Sequence, residues 1–134
     1  MHINSKYCRT CLNIGLVLWL GHAAAAPDTD GIASVTPSEA ASMQTAKAAV
    51  IVDVREDQEW QDQHIPGAIH IPLRQLKTRL AELNSYKHSA IITQCRSGKR
   101  SAQALEVLKS AGFTKAYTMS GGLTGWANEG LATE

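Results

Sequence analysis

The order strand, loop, helix is clearest in the stretch Ala90-Ile91-Ile92-Thr93-Gln94-Cys95-Arg96-Ser97-Gly98-Lys99-Arg100-Ser101. Its first five residues form an apolar, β-branched run that predicts a strand. A short loop with one glycine follows, and apolar residues then recur at helical spacing until Gly112, a residue type that commonly ends helices. The stretch therefore predicts a strand that delivers Cys95 at its carboxyl end and a helix over about 100–111.

Strands and helices alternate on both sides of this stretch. Thr36-Pro37-Ser38-Glu39 combines an N-cap threonine, a proline at the first helical position and a glutamate three residues after the cap, which predicts a helix to about Lys47. The β-branched run at 49–54 is typical of a buried parallel strand. Further elements are expected as a strand at 68–71, an amphipathic helix at 73–84, a strand at 116–119 and a short helix at 123–128. This alternation predicts an α/β fold, a mostly parallel central sheet with helices on both faces.

Residues 1–25 have the pattern of a secretory signal peptide. A polar segment with Lys6 and Arg9 precedes an apolar run, and small residues follow at Ala23-Ala24-Ala25. The apolar run is shorter than the roughly 20 residues that span a bilayer. We expect cleavage near Ala25 and no stable membrane insertion afterwards, the alternative being an uncleaved N-terminal anchor. An irregular lead-in at 26–35 and one domain at 36–134 follow.

The cysteines divide between these segments. Cys8 and Cys11 lie in the predicted signal, which leaves Cys95 as the one thiol of the exported domain. A single cysteine forms neither an internal disulfide nor a multi-cysteine zinc site. A lone thiol in an oxidising compartment is a liability unless it is used, so Cys95 is the candidate nucleophile.

The overall composition excludes one class of partner. The formal net charge is +1 and aromatic residues make up 5% of the chain. Neither a basic surface nor an aromatic platform is therefore available for nucleic acid.

The loop after Cys95 has the residues that a reactive thiolate needs. Gly98 lets the backbone curl so that several N–H groups converge on one centre, and the following helix adds its positive end. Hydroxyl donors and cations complete the predicted substrate-binding set, which is Arg96, Ser97, Gly98, Lys99, Arg100 and Ser101. A thiolate is stabilised in such surroundings.

Four motifs in order resemble the rhodaneses, the thiosulfate sulfurtransferases. They are the loop at 95–101, Asp53-Val54-Arg55, the His-Ile-Pro-Gly-Ala segment that begins at His64, and Gly121-Gly122 with Trp126. The resemblance spans about Val35 to Leu131. With the export signal, the chain is most similar to the small periplasmic single-domain rhodaneses of the phage shock protein E type.

The resemblance implies a ping-pong sulfur transfer. The Cys95 thiolate takes the sulfane sulfur of thiosulfate or a related donor, and a thiophilic acceptor such as cyanide then removes it from a Cys95 persulfide. A protein could also be the sulfur donor or acceptor. This chemistry needs no metal or organic cofactor.

Other functions stay open on the sequence. The small single domain is compatible with a persulfide carrier or partner-binding module. Cysteine phosphatases use Cys-x5-Arg, but Ser101 stands six residues after Cys95 and Arg100 falls one short. An oxyanion reductase would normally need a resolving thiol.

The remaining polar candidates are expected to be structural. Asp53 and Arg55 are interpreted as an ion pair that braces the loops, with catalysis as the alternative. His64 and His70 lie in turn contexts that favour packing and hydrogen bonding over general-base catalysis. The histidines lack convincing metal-ligand spacing.

Overall fold

The structure is a computed structural model and describes residues 33–134. The predicted signal peptide and most of the lead-in lie outside the described residues. Within residues 33–134, no helix has both the length and the apolar character needed to cross a membrane.

A five-stranded sheet forms the centre, and every pair of neighbouring strands is parallel. The strands are β1 (Ser34–Val35), β2 (Ala49–Asp53), β3 (Ile69–His70), β4 (Ala90–Gln94) and β5 (Ala116–Met119), in the order β1-β5-β4-β2-β3. The helices are α1 (Pro37–Thr45), α2 (Asp57–Asp62), α3 (Leu73–Leu76), α4 (Lys99–Ser110) and α5 (Gly122–Asn128), with a 3₁₀ helix at Leu80–Tyr86.

Two buried clusters lie on opposite faces of the sheet. Ile91 packs into one cluster with side chains of α3, the 3₁₀ helix and α4, whereas Ile92 packs into the other with side chains of α1 and α5. Successive strand residues point to opposite faces, so the continuous apolar run of β4 supplies both cores. The predicted α/β fold with helices on both faces is confirmed.

The start of α1 forms as predicted. The Thr36 hydroxyl accepts a hydrogen bond from the Glu39 N–H at 3.2 Å, and the Glu39 carboxylate accepts one from the Thr36 N–H at 2.8 Å. This capping box satisfies two N–H groups that a helix start leaves free. The helix ends at Thr45, before the predicted end, and Lys47 has the left-handed φ of 55°.

The amphipathic helix predicted at 73–84 is wrong in its geometry. The chain forms the short helix α3, a turn and then the 3₁₀ helix Leu80–Tyr86. Bonds between residues three apart, such as Glu82 N–H to Arg79 O, tighten the chain. Leu76 and Leu83 are nevertheless fully buried, so the apolar spacing identified the core residues although the helix type differs.

The lead-in also differs from its prediction at its end, because Ser34–Val35 forms β1 at the edge of the sheet. Ser120 N–H donates to Val35 O at 2.9 Å, and Thr118 N–H donates to Ala33 O at 3.0 Å. These residues lack a strand pattern of their own, since a two-residue edge strand depends on the neighbour that it pairs with.

Candidate active site

Cys95 directly follows β4, at the edge where the carboxyl ends of the parallel strands meet. Its side chain is 1% exposed. Gly98 adopts a φ of 111° and serves as the N-cap of α4. A β-carbon on Gly98 would meet no atom within 4 Å, so glycine is favoured there by the backbone conformation and not by a lack of space.

Backbone N–H groups point at the sulfur of Cys95. The Gly98 N–H donates to Sγ at 3.1 Å and the Ser101 N–H donates at 3.4 Å. The Ser101 hydroxyl donates to the Gly98 carbonyl at 2.9 Å, and its oxygen lies 3.7 Å from Sγ, where it accepts from the neutral thiol. The structure thus brings Gly98 and Ser101 of the predicted loop set to the nucleophile.

These donors favour the thiolate. Burial raises the pKa of Cys95, but hydrogen bonds from the Ser101 N–H and hydroxyl and from the Gly98 and Ser97 N–H groups outweigh it. The pKa of the Cys95 thiol therefore lies below its ordinary value. A lower pKa increases the fraction of nucleophilic thiolate at neutral pH.

Two threonines on adjacent strands hold Ser101 in place. The Thr118 hydroxyl donates to Ser101 Oγ at 2.7 Å, and the Thr93 hydroxyl donates to the Ser101 carbonyl at 2.9 Å. Thr93 and Thr118 are register partners on β4 and β5. Sequence analysis missed Thr118, because a threonine 17 residues from Ser101 has no local signal of this contact.

The start of α5 binds the other side of the same loop. The Leu123 N–H donates to the Cys95 carbonyl at 2.8 Å, and the Thr124 N–H donates to the Arg96 carbonyl at 3.1 Å. A β-carbon on Gly122 would lie 2.3 Å from the Cys95 carbonyl oxygen. The Gly-Gly motif therefore permits a close approach that directs loop carbonyls towards α5.

The three loop cations have different surroundings. Arg100 makes a bidentate salt bridge to Glu59 of α2, with Nη1–Oε2 at 2.6 Å and Nη2–Oε1 at 2.8 Å. Within the described part of the chain, neither the Arg96 nor the Lys99 side chain has a hydrogen-bond or ion-pair partner, and both residues are exposed. Arg96 and Lys99 are therefore the cations available to an anionic donor.

The salt bridge also shifts the pKa values of its two partners. The hydrogen bonds from Arg100 lower the pKa of Glu59 to about 2, and Glu59 in turn raises the pKa of Arg100. Sequence analysis missed Glu59, because a glutamate 41 residues from Arg100 has no local signal of this contact.

A cavity of about 360 Å³ adjoins this edge of the sheet, with Arg55, Glu59, Arg96 and Leu123 in its lining. A larger cavity of about 670 Å³ lies at the opposite edge, where β2 and β4 begin. The smaller cavity is lined by Arg96, the residue that follows Cys95, but Cys95 itself is not among its lining residues.

Asp53 and Arg55 form a buried pair at the end of β2. The Asp53 carboxylate accepts from the Arg55 backbone N–H at 2.9 Å and from Nη2 at 2.7 Å. The guanidinium also donates to the carbonyls of Glu59 and Gln63, at 3.1 and 2.7 Å. The Arg55 guanidinium thus links the end of β2 to carbonyls within and just after α2.

The two histidines of the turn segment stack on Trp60. The ring centroids lie 3.8 Å from Trp60 for His64 and 4.7 Å for His70. His64 bonds the Trp60 carbonyl through Nδ1, and His70 bonds the Arg55 carbonyl through Nε2. Among residues 33–134, no group of three or more His, Cys, Asp or Glu side chains is arranged to hold a metal ion.

Comparison with known proteins agrees with this geometry. The chain matches the model of the rhodanese-like domain over residues 36–129. It is 40% identical over 79 residues to YrkF of Bacillus subtilis (strain 168), a candidate sulfur carrier protein by name, covering 59% of this chain and 42% of YrkF. It is 36% identical over 70 residues to the thiosulfate sulfurtransferase PspE of Escherichia coli (strain K12), covering 52% of this chain and 67% of PspE.

A solved structure has the same fold. The thiosulfate sulfurtransferase of Pseudomonas aeruginosa superposes with a TM-score of 0.71 at 30% identity, covering 78% of this chain and 20% of that protein. The chain thus covers about a fifth of that longer protein and less than half of YrkF. With the family model matched across nearly all of the described domain, the chain belongs to the rhodanese-like domain family.

Proposed function

We propose that this protein is a sulfurtransferase that moves sulfane sulfur from thiosulfate, or a related donor, to a thiophilic acceptor such as cyanide through a persulfide on Cys95. The observation that carries the proposal is the pair of N–H groups from Gly98 and Ser101 that donate to Sγ. They stabilise a thiolate before the reaction, and the same loop suits a charged outer sulfur after it.

In the first step the Cys95 thiolate attacks the sulfane sulfur of thiosulfate. An S–S bond forms to Sγ, the S–S bond of thiosulfate breaks, and sulfite leaves with the electron pair. Arg96 and Lys99 are the exposed cations that would bind the sulfonate end. The negative charge moves from Sγ to the outer sulfur, so loop N–H groups are the donors for it.

In the second step the acceptor attacks the outer sulfur. With cyanide, a C–S bond forms, the persulfide S–S bond breaks, and thiocyanate leaves as the Cys95 thiolate is restored. The thiol and the anion-binding loop suffice for both steps, so the reaction runs without a redox cofactor.

The direct test is intact-mass analysis after incubation with thiosulfate. The wild type should gain one sulfur atom and lose it on addition of cyanide, with thiocyanate as product. Cys95→Ser should gain none and should lose thiosulfate:cyanide transfer entirely. Undiminished transfer in Cys95→Ser would sink the assignment of the nucleophile.

A persulfide carrier is the second candidate, favoured by the 40% identity to YrkF. A carrier would exchange sulfur efficiently with a protein persulfide but turn over thiosulfate slowly. Fast steady-state turnover on thiosulfate and cyanide alone would count against it.

Phosphatase chemistry is disfavoured by the position of Arg100. Phosphate ester hydrolysis would need a guanidinium free to clamp the phosphoryl oxygens, whereas Arg100 is paired bidentately with Glu59. Hydrolysis of an aryl phosphate by the wild type, but not by Cys95→Ser, would revive this alternative.

We also propose that the protein is exported to the periplasm and is of the PspE type. The signal-like pattern of residues 1–25 and the 36% identity to PspE support this. The same intact-mass measurement on protein recovered from the periplasm should show a chain that begins near Ala26.

A further inference from the structure

One cation of the active-site loop is neutralised by a residue from another element. Both guanidinium Nη groups of Arg100 bind the two carboxylate oxygens of Glu59, at 2.6 and 2.8 Å. Such a bidentate pair fixes geometry as well as charge. The side chains are 31% and 28% exposed, so the bridge lies at the rim of the site and not in the core.

Glu59 is itself held firmly. Its carboxylate accepts from the Glu56 N–H at 3.1 Å, and its carbonyl accepts from Nη1 of Arg55 at 3.1 Å. Arg55 is buried and bound to Asp53. A continuous set of bonds therefore runs from the end of β2 through Glu59 to the loop, and it determines where Arg100 points.

The charged groups around Cys95 differ in whether they are paired. Arg100 interacts electrostatically with the Cys95 thiolate, and Glu59 is an ionised carboxylate at neutral pH whose pKa Arg100 lowers to about 2. Asp53 and Arg55 compensate each other, and Asp62 lines the adjoining cavity. Two exposed cations, Arg96 and Lys99, remain unpaired within the described residues.

We propose that Glu59 is a specificity-determining residue that withholds Arg100 from the incoming donor and thereby shifts the site from dianionic donors towards sulfur donors of low charge, such as alkyl persulfides. This inference rests on the proposed sulfur transfer for its substrates. With an alkyl persulfide, the Cys95 thiolate attacks the outer sulfur, a new S–S bond forms to Sγ, and the donor's S–S bond breaks. The alkyl thiolate leaves and takes the proton of the persulfide.

The test compares two variants that break the same bridge with opposite changes of charge. Glu59→Gln removes the negative partner and frees Arg100, whereas Arg100→Gln leaves the Glu59 carboxylate uncompensated. Glu106→Gln is the matched control, because Glu106 lies on the far part of α4 and pairs with Lys109 at 3.7 Å. Each protein is treated with anionic iodoacetate, neutral iodoacetamide, thiosulfate and cysteine persulfide, and modification of Cys95 is followed by intact mass.

Glu59→Gln should raise the ratio of iodoacetate to iodoacetamide rate constants about threefold at low salt. Interaction energy scales with charge, so the rate constant for the dianion thiosulfate should rise about tenfold, roughly the square of that factor. Cysteine persulfide should respond no more than iodoacetate. All increases should shrink at high ionic strength. Arg100→Gln should lower both the iodoacetate-to-iodoacetamide ratio and the thiosulfate-to-cysteine-persulfide ratio. Glu106→Gln should leave both ratios unchanged.

Equal losses in Glu59→Gln and Arg100→Gln would overturn the inference, since they would mean that the bridge only braces the loop. Wild-type ratios in Glu59→Gln would also overturn it. The alkylation ratio does not depend on sulfur transfer. If thiosulfate loaded no variant while that ratio shifted as expected, the proposed thiosulfate reaction would fail and the charge effect of Glu59 would stand.

Discussion

Two polar groups lie at the carboxyl ends of neighbouring strands of one sheet, yet they have opposite surroundings. The Asp53–Arg55 pair at the end of β2 is buried, and its charges compensate each other through short hydrogen bonds. Cys95 after β4 is equally buried, but N–H groups are arranged around a sulfur that gains charge only on ionisation. The charges of the ion pair are compensated in the resting protein, whereas the donors around Cys95 stabilise a charge that forms when the thiol ionises.

A buried polar group can be recognised as structural or reactive by whether its charge is already compensated in the resting protein. A buried ion pair is costly to break because its charges have no other partners. Donors that converge on a weakly polar thiol contribute little until that thiol ionises, and then they favour the charged form. Stability should therefore depend on Asp53, whereas reactivity should depend on the contacts around Cys95.

Asp53→Asn should lower the stability of the protein without changing the reactivity of Cys95. It leaves the buried Arg55 guanidinium without its carboxylate, and we expect a loss of about 3 kcal/mol in the free energy of unfolding, measured by denaturant titration. The protein that remains folded should alkylate Cys95 at close to the wild-type rate. Wild-type stability with lost sulfur transfer would show instead that Asp53 is catalytic.

Gly122→Ala should reduce sulfur transfer by displacing the loop that carries Cys95. The added β-carbon would meet the Cys95 carbonyl oxygen at 2.3 Å, and φ is +53°, so we expect about 2 kcal/mol of destabilisation and at least a tenfold loss of transfer. Gly130→Ala is the control, since Gly130 has a φ of +71° but no atom near its β-carbon position. If both variants lost activity equally, backbone strain and not the close approach would explain the effect.

Thr118→Val should have a smaller effect, a change in the ionisation of Cys95. It removes the hydroxyl that donates to Ser101 Oγ at 2.7 Å. The Ser101 hydroxyl donates to the Gly98 carbonyl in the structure and must turn to Sγ to stabilise the thiolate, so the loss of the Thr118 contact weakens that donor. The pH midpoint of iodoacetamide alkylation should rise by about 0.5 units, because the charged form loses stabilisation.

Two matched variants separate this effect from packing. Thr118→Ser keeps the hydroxyl and should retain the wild-type midpoint. Thr93→Val should shift it less, since the Thr93 hydroxyl donates to backbone carbonyls and not to Ser101 Oγ. An unchanged midpoint in Thr118→Val would contradict the role given to the Thr118–Ser101 contact.

Much of the fold could be predicted from local patterns. The capping box at Thr36 and the apolar run of β4 both formed where their residues indicated. The segment after Leu73 was less predictable, because the same leucine spacing can be satisfied by an α-helix or by a short helix followed by 3₁₀ turns. The edge strand β1 was unpredictable for a related reason, since it pairs with β5, a strand far away in the sequence.

Local sequence patterns were enough to predict the alternation of strands and helices, the place of Cys95 at a strand end, and the glycine at the start of the next helix. These features depend on residues close together in the chain, whose periodicity and backbone preferences act locally. Only the tertiary structure decided that Glu59 holds Arg100, that Thr118 holds Ser101, and that Gly122 meets the Cys95 carbonyl. Those contacts join distant segments, and they follow from the strand order and from which helix packs beside which strand end.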